Sequence, residues 1–98
     1  MNGTMLEVTD PGTGRVISLS LLNGRDDRLW IYDRATGKFW RNNAQTIDYF
    51  VDQELDYRVL SDEEAAELAA SVPALRPSTV RLLAHDGAPS VPAGEVFN

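Results

Sequence analysis

Cysteine is absent from the 98-residue chain, which excludes disulfides and thiolate metal sites outright. Small secreted domains usually lean on disulfides, so this absence points toward the cytoplasm. Long apolar runs are also missing. No stretch approaches the roughly 20 residues that a membrane-spanning helix needs, and no membrane partner is expected. The opening residues MNGTMLEVTD carry neither the basic start nor the apolar run of a signal peptide. Positive charge is scarce, with 9 Lys and Arg against 15 Asp and Glu and a net charge of −6. Bulk nucleic-acid binding is therefore disfavoured, because neutralising phosphates takes a basic field.

Catalytic signatures are lacking too. The one histidine, His85, precedes Asp86, but adjacent residues rarely face each other and no serine or cysteine nucleophile is marked by its context. Asp52, Glu54 and Asp56 alternate as carboxylates, without the glycine and the terminal glutamate of a calcium loop. The glycine turns PGTG and ATGK do not meet the spacing of a phosphate-binding loop. These readings lead to no enzyme, no cofactor and no metal.

What is present is polarised. Residues 46–67 hold eight acids (Asp48, Asp52, Glu54, Asp56, Asp62, Glu63, Glu64 and Glu67) against Arg58 alone, whereas residues 15–41 hold six bases against three acids. Such a field steers association toward a positively charged partner surface. The bland alternative is that both groups are solvated faces. Arginine is the dominant base and alanine is plentiful, a composition that fits a GC-rich bacterium or one of its phages.

Residues 4–9 alternate as a short strand, 10–14 (DPGTG) form a turn, and 15–23 form a second strand with Ile17, Leu19 and Leu21 on one face. IYDRATGKFW, residues 31–40, reads as a hairpin. Asp33 accepts hydrogen bonds from turn amides, and Gly37 takes a left-handed conformation. That loop pairs Asp33 with Lys38, Tyr32 with Phe39, Ile31 with Trp40 and Trp30 with Arg41. Residues 32–39, YDRATGKF, resemble one Tyr-Asp-x-x-Thr-Gly-Arg-Phe segment of bacterial YD-repeat proteins. The resemblance covers eight residues once and implies a shared hairpin loop, with no shared function.

Ile47, Phe50, Val51 and Leu55 recur at helical spacing and predict a short helix over 44–54 that buries them, with Asn43 or Thr46 as its cap. Residues 56–60 read as a strand. SDEEAAELAASV, residues 61–72, has a Ser61–Glu64 capping box and a buried stripe of Ala65, Leu68, Ala69 and Val72. Residues 79–84 are a strand or a helical turn, and 86–98 a flexible tail. The resulting expectation is one α+β domain over 1–85. It comprises an antiparallel sheet of four or five strands with two short helices on one face.

The hairpin raises the functional question, because it presents bulky side chains on both faces. Its rings are either core or an interface. In the second case Trp30, Tyr32, Phe39, Trp40 and Arg41, together with the acidic Asp48, Asp52, Glu54 and Asp56, are the candidate partner-binding residues. The leading expectation is a non-enzymatic module that binds another protein with a basic patch, such as a phage or mobile-element accessory protein acting on a host factor. A homodimer stays open. The alternatives are a nucleic-acid-binding module on the basic hairpin 28–41, or an acidic nucleic-acid mimic.

Overall fold

β1 (Gly3–Thr9) and β2 (Val16–Asn23) pair antiparallel around the Pro11–Gly14 turn, where Asp10 caps the Gly12 amide at 2.8 Å. β3 (Arg28–Asp33) and β4 (Lys38–Arg41) follow as the hairpin. The computed structural model describes residues 3–97; the outermost ends of the signal-peptide and tail readings, Met1, Asn2 and Asn98, lie outside them. β5 (Asp56–Val59) joins the free side of β1, and β6 (Ser90–Pro92) the free side of β4. The result is one open six-stranded antiparallel sheet in the order β5-β1-β2-β3-β4-β6. The helices are α1 (Asn43–Ile47, continued by a π turn, Asp48–Asp52), α2 (Asp62–Ser71) and α3 (Pro77–His85).

The hairpin register matches expectation pair for pair: Trp30 with Arg41, Ile31 with Trp40, Tyr32 with Phe39, and Asp33 with Lys38. Asp33 holds the loop in shape. Its buried carboxylate accepts from the Ala35 amide (3.3 Å), the Thr36 amide (3.2 Å) and the Thr36 hydroxyl (2.7 Å), and Gly37 turns with φ of 69°. A fourth donor, the Leu75 amide at 3.3 Å, ties the α2–α3 connection to the same carboxylate.

Both faces of the sheet are covered, and this answers the puzzle of the two-sided hairpin. Side chains alternate along each strand. One face carries Met5, Leu19, Leu21, Trp30, Tyr32, Phe39 and Val91, and α2 packs on it through Ala65, Leu68, Ala69 and Val72, together with Val96 and Phe97. Phe97 lies 5.9 Å from Phe39, ring centroid to centroid. The other face carries Leu6, Val8, Leu29 and Ile31, all buried. α1 sits on that side: Gln45 donates to Ser18 (3.3 Å), the Ser20 hydroxyl donates to Gln45 (2.6 Å), and the Leu29 amide donates to Thr46 (2.9 Å). The helices therefore do not share one face, as the sequence suggested, but sandwich the sheet.

Four further departures have local causes. The β1–β2 register shifts at Val8/Thr9. That irregularity turns Ile17 outward, to 38 % exposure, and puts Val16 against the core in its place. Asn42, and neither Asn43 nor Thr46, caps α1, its side chain accepting from the Gln45 amide. Residues 77–85 are a helix, and Pro77 stands in its first turn, where a missing N–H costs nothing. Within the expected tail, residues 90–92 form a sixth strand. The Arg41 amide donates to the Pro89 carbonyl (3.0 Å), and Pro92 sits on an edge strand, where the lack of an N–H is tolerated. Among the described residues no helix is long and apolar enough to cross a membrane.

Candidate interaction surface

The nine residues singled out from sequence separate into two groups, the hairpin residues and the acids. Trp30 and Phe39 are core residues beneath α2, and the Trp30 indole donates to Asp26 at 3.1 Å. Tyr32 packs at 5.1 Å on Phe39 and is half-buried. Trp40 is half-buried with the Lys38 ammonium 6.0 Å from its ring, and Arg41 is half-buried beside the start of α1 and the end of α3. The hairpin rings thus form no open aromatic face. Arg28, Arg34 and Lys38 remain exposed around them.

The acidic group divides again. Asp48 works inside the chain. Its carboxylate accepts from the Glu54 amide (3.0 Å), the Leu55 amide (3.3 Å) and the Tyr57 hydroxyl (2.6 Å). The Tyr57 bond, helped by the two amides, holds the Asp48 carboxyl below its usual range. Burial, then the hydrogen bond and charge of Asp48, push the Tyr57 hydroxyl well above its own. This knot closes the π turn, in which the Gln53 amide reaches back five residues to the Asp48 carbonyl and Gln53 adopts a left-handed conformation with φ of 51°. Asp52, Glu54 and Asp56, by contrast, are exposed, and among the described residues their side chains make no hydrogen bond or ion pair.

Sequence reading missed the residues that stand out most. Ile47, Phe50 and Val51 do share one helix face, but that face looks into solvent, with exposures of 54 %, 51 % and 72 %. The inward side of the segment is taken by Gln45 and Thr46, whose hydrogen bonds to the sheet fix the helix rotation, and by half-buried Tyr49, which packs edge-on to Phe50 (5.0 Å) and Tyr57 (4.8 Å). Ile47, Phe50 and Val51, with Arg28, Asn43 and Thr46, line a shallow hollow of about 370 Å³. Phe50 also borders a second hollow with Gln53, Leu55, Asp56 and Tyr57. The apolar ridge therefore shares a hollow with the unpaired carboxylate residue Asp56, and Asp52 follows Val51 in the chain. The missed signal was the polar pair Gln45-Thr46 placed opposite two serines of β2.

His85 is exposed at the end of α3. No group of three or more His, Asp or Glu residues within the described part of the chain is arranged to hold a metal ion. Comparison of the chain with protein-family models, curated proteins and solved structures finds no match in any of the three.

Proposed function

We propose that this protein is a non-enzymatic interaction module that docks another protein on the Ile47–Phe50–Val51 ridge, with Asp52, Glu54 and Asp56 as its charged rim. One observation carries the reading: three neighbouring apolar side chains of one helical segment are left in solvent, whereas the α2 stripe packs on the sheet. Fully burying such a side chain is worth about 1.5–3 kcal/mol, and the fold forgoes half or more of that gain at each of three neighbouring positions. An apolar centre rimmed by charge has the anatomy of an interface, and the acids favour a partner carrying Lys or Arg around an apolar contact. Two of the rings that a base-stacking platform would use are buried, which weighs against the nucleic-acid alternative. A phage or mobile-element accessory protein meeting a host protein in the cytoplasm fits this reading.

The test is affinity capture from a high-GC bacterial lysate, with and without nuclease, using the wild type, Phe50→Ser/Val51→Ser, and Leu82→Ser as a control at a different exposed apolar residue. The expected result is a nuclease-resistant protein that the double variant loses and the control keeps. Capture that vanishes with nuclease, or that ignores the double variant, overturns the reading.

A further inference from the structure

β5 ends the sheet, and its outer edge can be read residue by residue. The Leu60 amide donates to the Met5 carbonyl at 2.9 Å. In an antiparallel ladder every second residue turns both backbone groups to the same neighbour, so Leu60, Arg58 and Asp56 face β1. Tyr57 and Val59 therefore turn their N–H and C=O groups outward. Leu55 is a bend just before the strand and its N–H is taken by Asp48, but its carbonyl, opposed to the Asp56 N–H across their trans peptide, also points outward. Val59 is 67 % exposed. Nothing within the described residues pairs with this edge.

The charges along the edge are self-complementary in one register only. With Tyr57 opposite Tyr57 of a second copy, Asp56 of each chain lies opposite Arg58 of the other, and Leu55 lies opposite Val59. The Asp56–Arg58 pairs fall at the non-hydrogen-bonded positions, where side chains come closest. Moving the axis by one residue sets Asp56 against Asp56 or Arg58 against Arg58, and like charges directly opposite are destabilising. Arg58 is already held over the sheet by Glu7 (3.2 Å, through Nε) and Glu64 (3.0 Å, through one terminal nitrogen). A guanidinium has five N–H donors, so donors remain for a third carboxylate.

We propose that two copies of the chain associate through β5, antiparallel and centred on Tyr57, to make one continuous sheet across a two-fold axis. The backbone bonds are those between the two Tyr57 residues and those from each Val59 N–H to the Leu55 carbonyl of the other copy. Val59 gains cover from Leu55. Tyr57 meets its copy on the same face of the joined sheet, so the α1 sides of both copies look the same way. The two Ile47–Phe50–Val51 ridges then form a bivalent surface, able to bind a repeated or symmetric partner more tightly than one ridge alone. The dimer does not depend on the partner reading. Its test uses the protein alone, so either can fail without the other.

Sedimentation velocity over a wide concentration range, down to high dilution, tests it. The wild type should shift reversibly from monomer to dimer. Val59→Pro removes an N–H that the fold itself does not use, and proline is tolerated on an edge strand, so this variant should stay monomeric at every concentration with an unchanged circular dichroism spectrum. Asp56→Arg is the second probe, at an exposed residue with no internal partner. It puts Arg opposite Arg58 and should weaken the dimer at least tenfold, although it makes the net charge of −6 less negative. A contact governed by overall repulsion would strengthen instead. A wild type monomeric throughout, or a dimer untouched by both variants, overturns the proposal. So does a dimer that Phe50→Ser breaks and Val59→Pro does not.

Discussion

α1 and α2 are both short helices with apolar residues at helical spacing, and they use that spacing in opposite ways. α2 lays Ala65, Leu68, Ala69 and Val72 on the sheet, and its capping box closes through Glu64 to the Ser61 amide (3.0 Å) and the Ser61 hydroxyl to the Glu64 amide (3.2 Å). α1 points Ile47, Phe50 and Val51 away from the sheet and is held instead by the hydrogen bonds of Gln45 and Thr46. Periodicity tells which residues share a helix face. It does not tell whether that face meets the core. Where a buried polar anchor competes with an apolar stripe, specific hydrogen bonds can set the rotation and leave the stripe for something else.

The largest effect belongs to the floor under α2. Phe39 is fully buried between Tyr32 and Phe97, so Phe39→Ala should cost about 3–5 kcal/mol through lost transfer energy and the cavity left behind. Urea unfolding followed by circular dichroism measures this. A loss below about 1 kcal/mol would mean that α2 and the Val96–Phe97 segment do not cover the hairpin as described.

Next comes the anchor of α1. Gln45→Ala leaves the buried Ser18 and Ser20 hydroxyls, 3.0 Å apart, with only each other. Stranding a buried polar group costs about 1–3 kcal/mol, and the loss should appear together with faster amide exchange across α1 and the π turn while α2 stays protected. Equal loosening of both helices would show that α1 has no anchor of its own.

The Asp48–Tyr57 knot gives a smaller, pH-dependent effect. Asp48→Asn should cost about 1 kcal/mol at neutral pH, a hydrogen bond to a charged group discounted for its partial exposure. The Asp48 carboxyl is held below its ordinary value of 3.8, so its contribution is complete above about pH 4 and fades as the pH falls through the lowered folded-state value. The stability gap between wild type and variant should therefore close on acidification. The raised Tyr57 hydroxyl predicts a second loss from about pH 10 upward, as pH climbs from the unfolded tyrosine value toward the folded one. A gap independent of pH would place the effect elsewhere than in this bond.

What the sequence disclosed follows from how local each feature is. The hairpin register is written in Asp33, Thr36 and Gly37, which interact within a few residues, and the α2 cap in Ser61 and Glu64. The rotation of α1 rests on Gln45 meeting serines 25 and 27 positions earlier, and the place of β6 on pairing across to β4. Neither leaves a periodic trace. Of the candidate site, the acidic rim at Asp52, Glu54 and Asp56 was legible as charge, whereas its apolar centre was read as core. Two prolines stand inside regular elements that the sequence left open or assigned to the tail. Pro77 opens a helix and Pro92 sits on an outer strand, two positions where the missing N–H has no structural duty.

The smallest effect on stability is the one that sharpens the comparison most. Phe50 is about half exposed and supports the fold chiefly by its edge contact with Tyr49, so Phe50→Ser should change the unfolding free energy by no more than about 0.5–1 kcal/mol. Near-neutral stability beside the heavy cost at Phe39 would separate a ring kept for the fold from a ring kept on the surface. If Phe50→Ser also lowers the tendency of the protein to bind an apolar dye such as ANS, the ridge is the solvent-facing apolar surface. If stability falls as far as in Phe39→Ala, then α1 packs its stripe inward in solution, the ridge does not exist, and the docking reading falls with it.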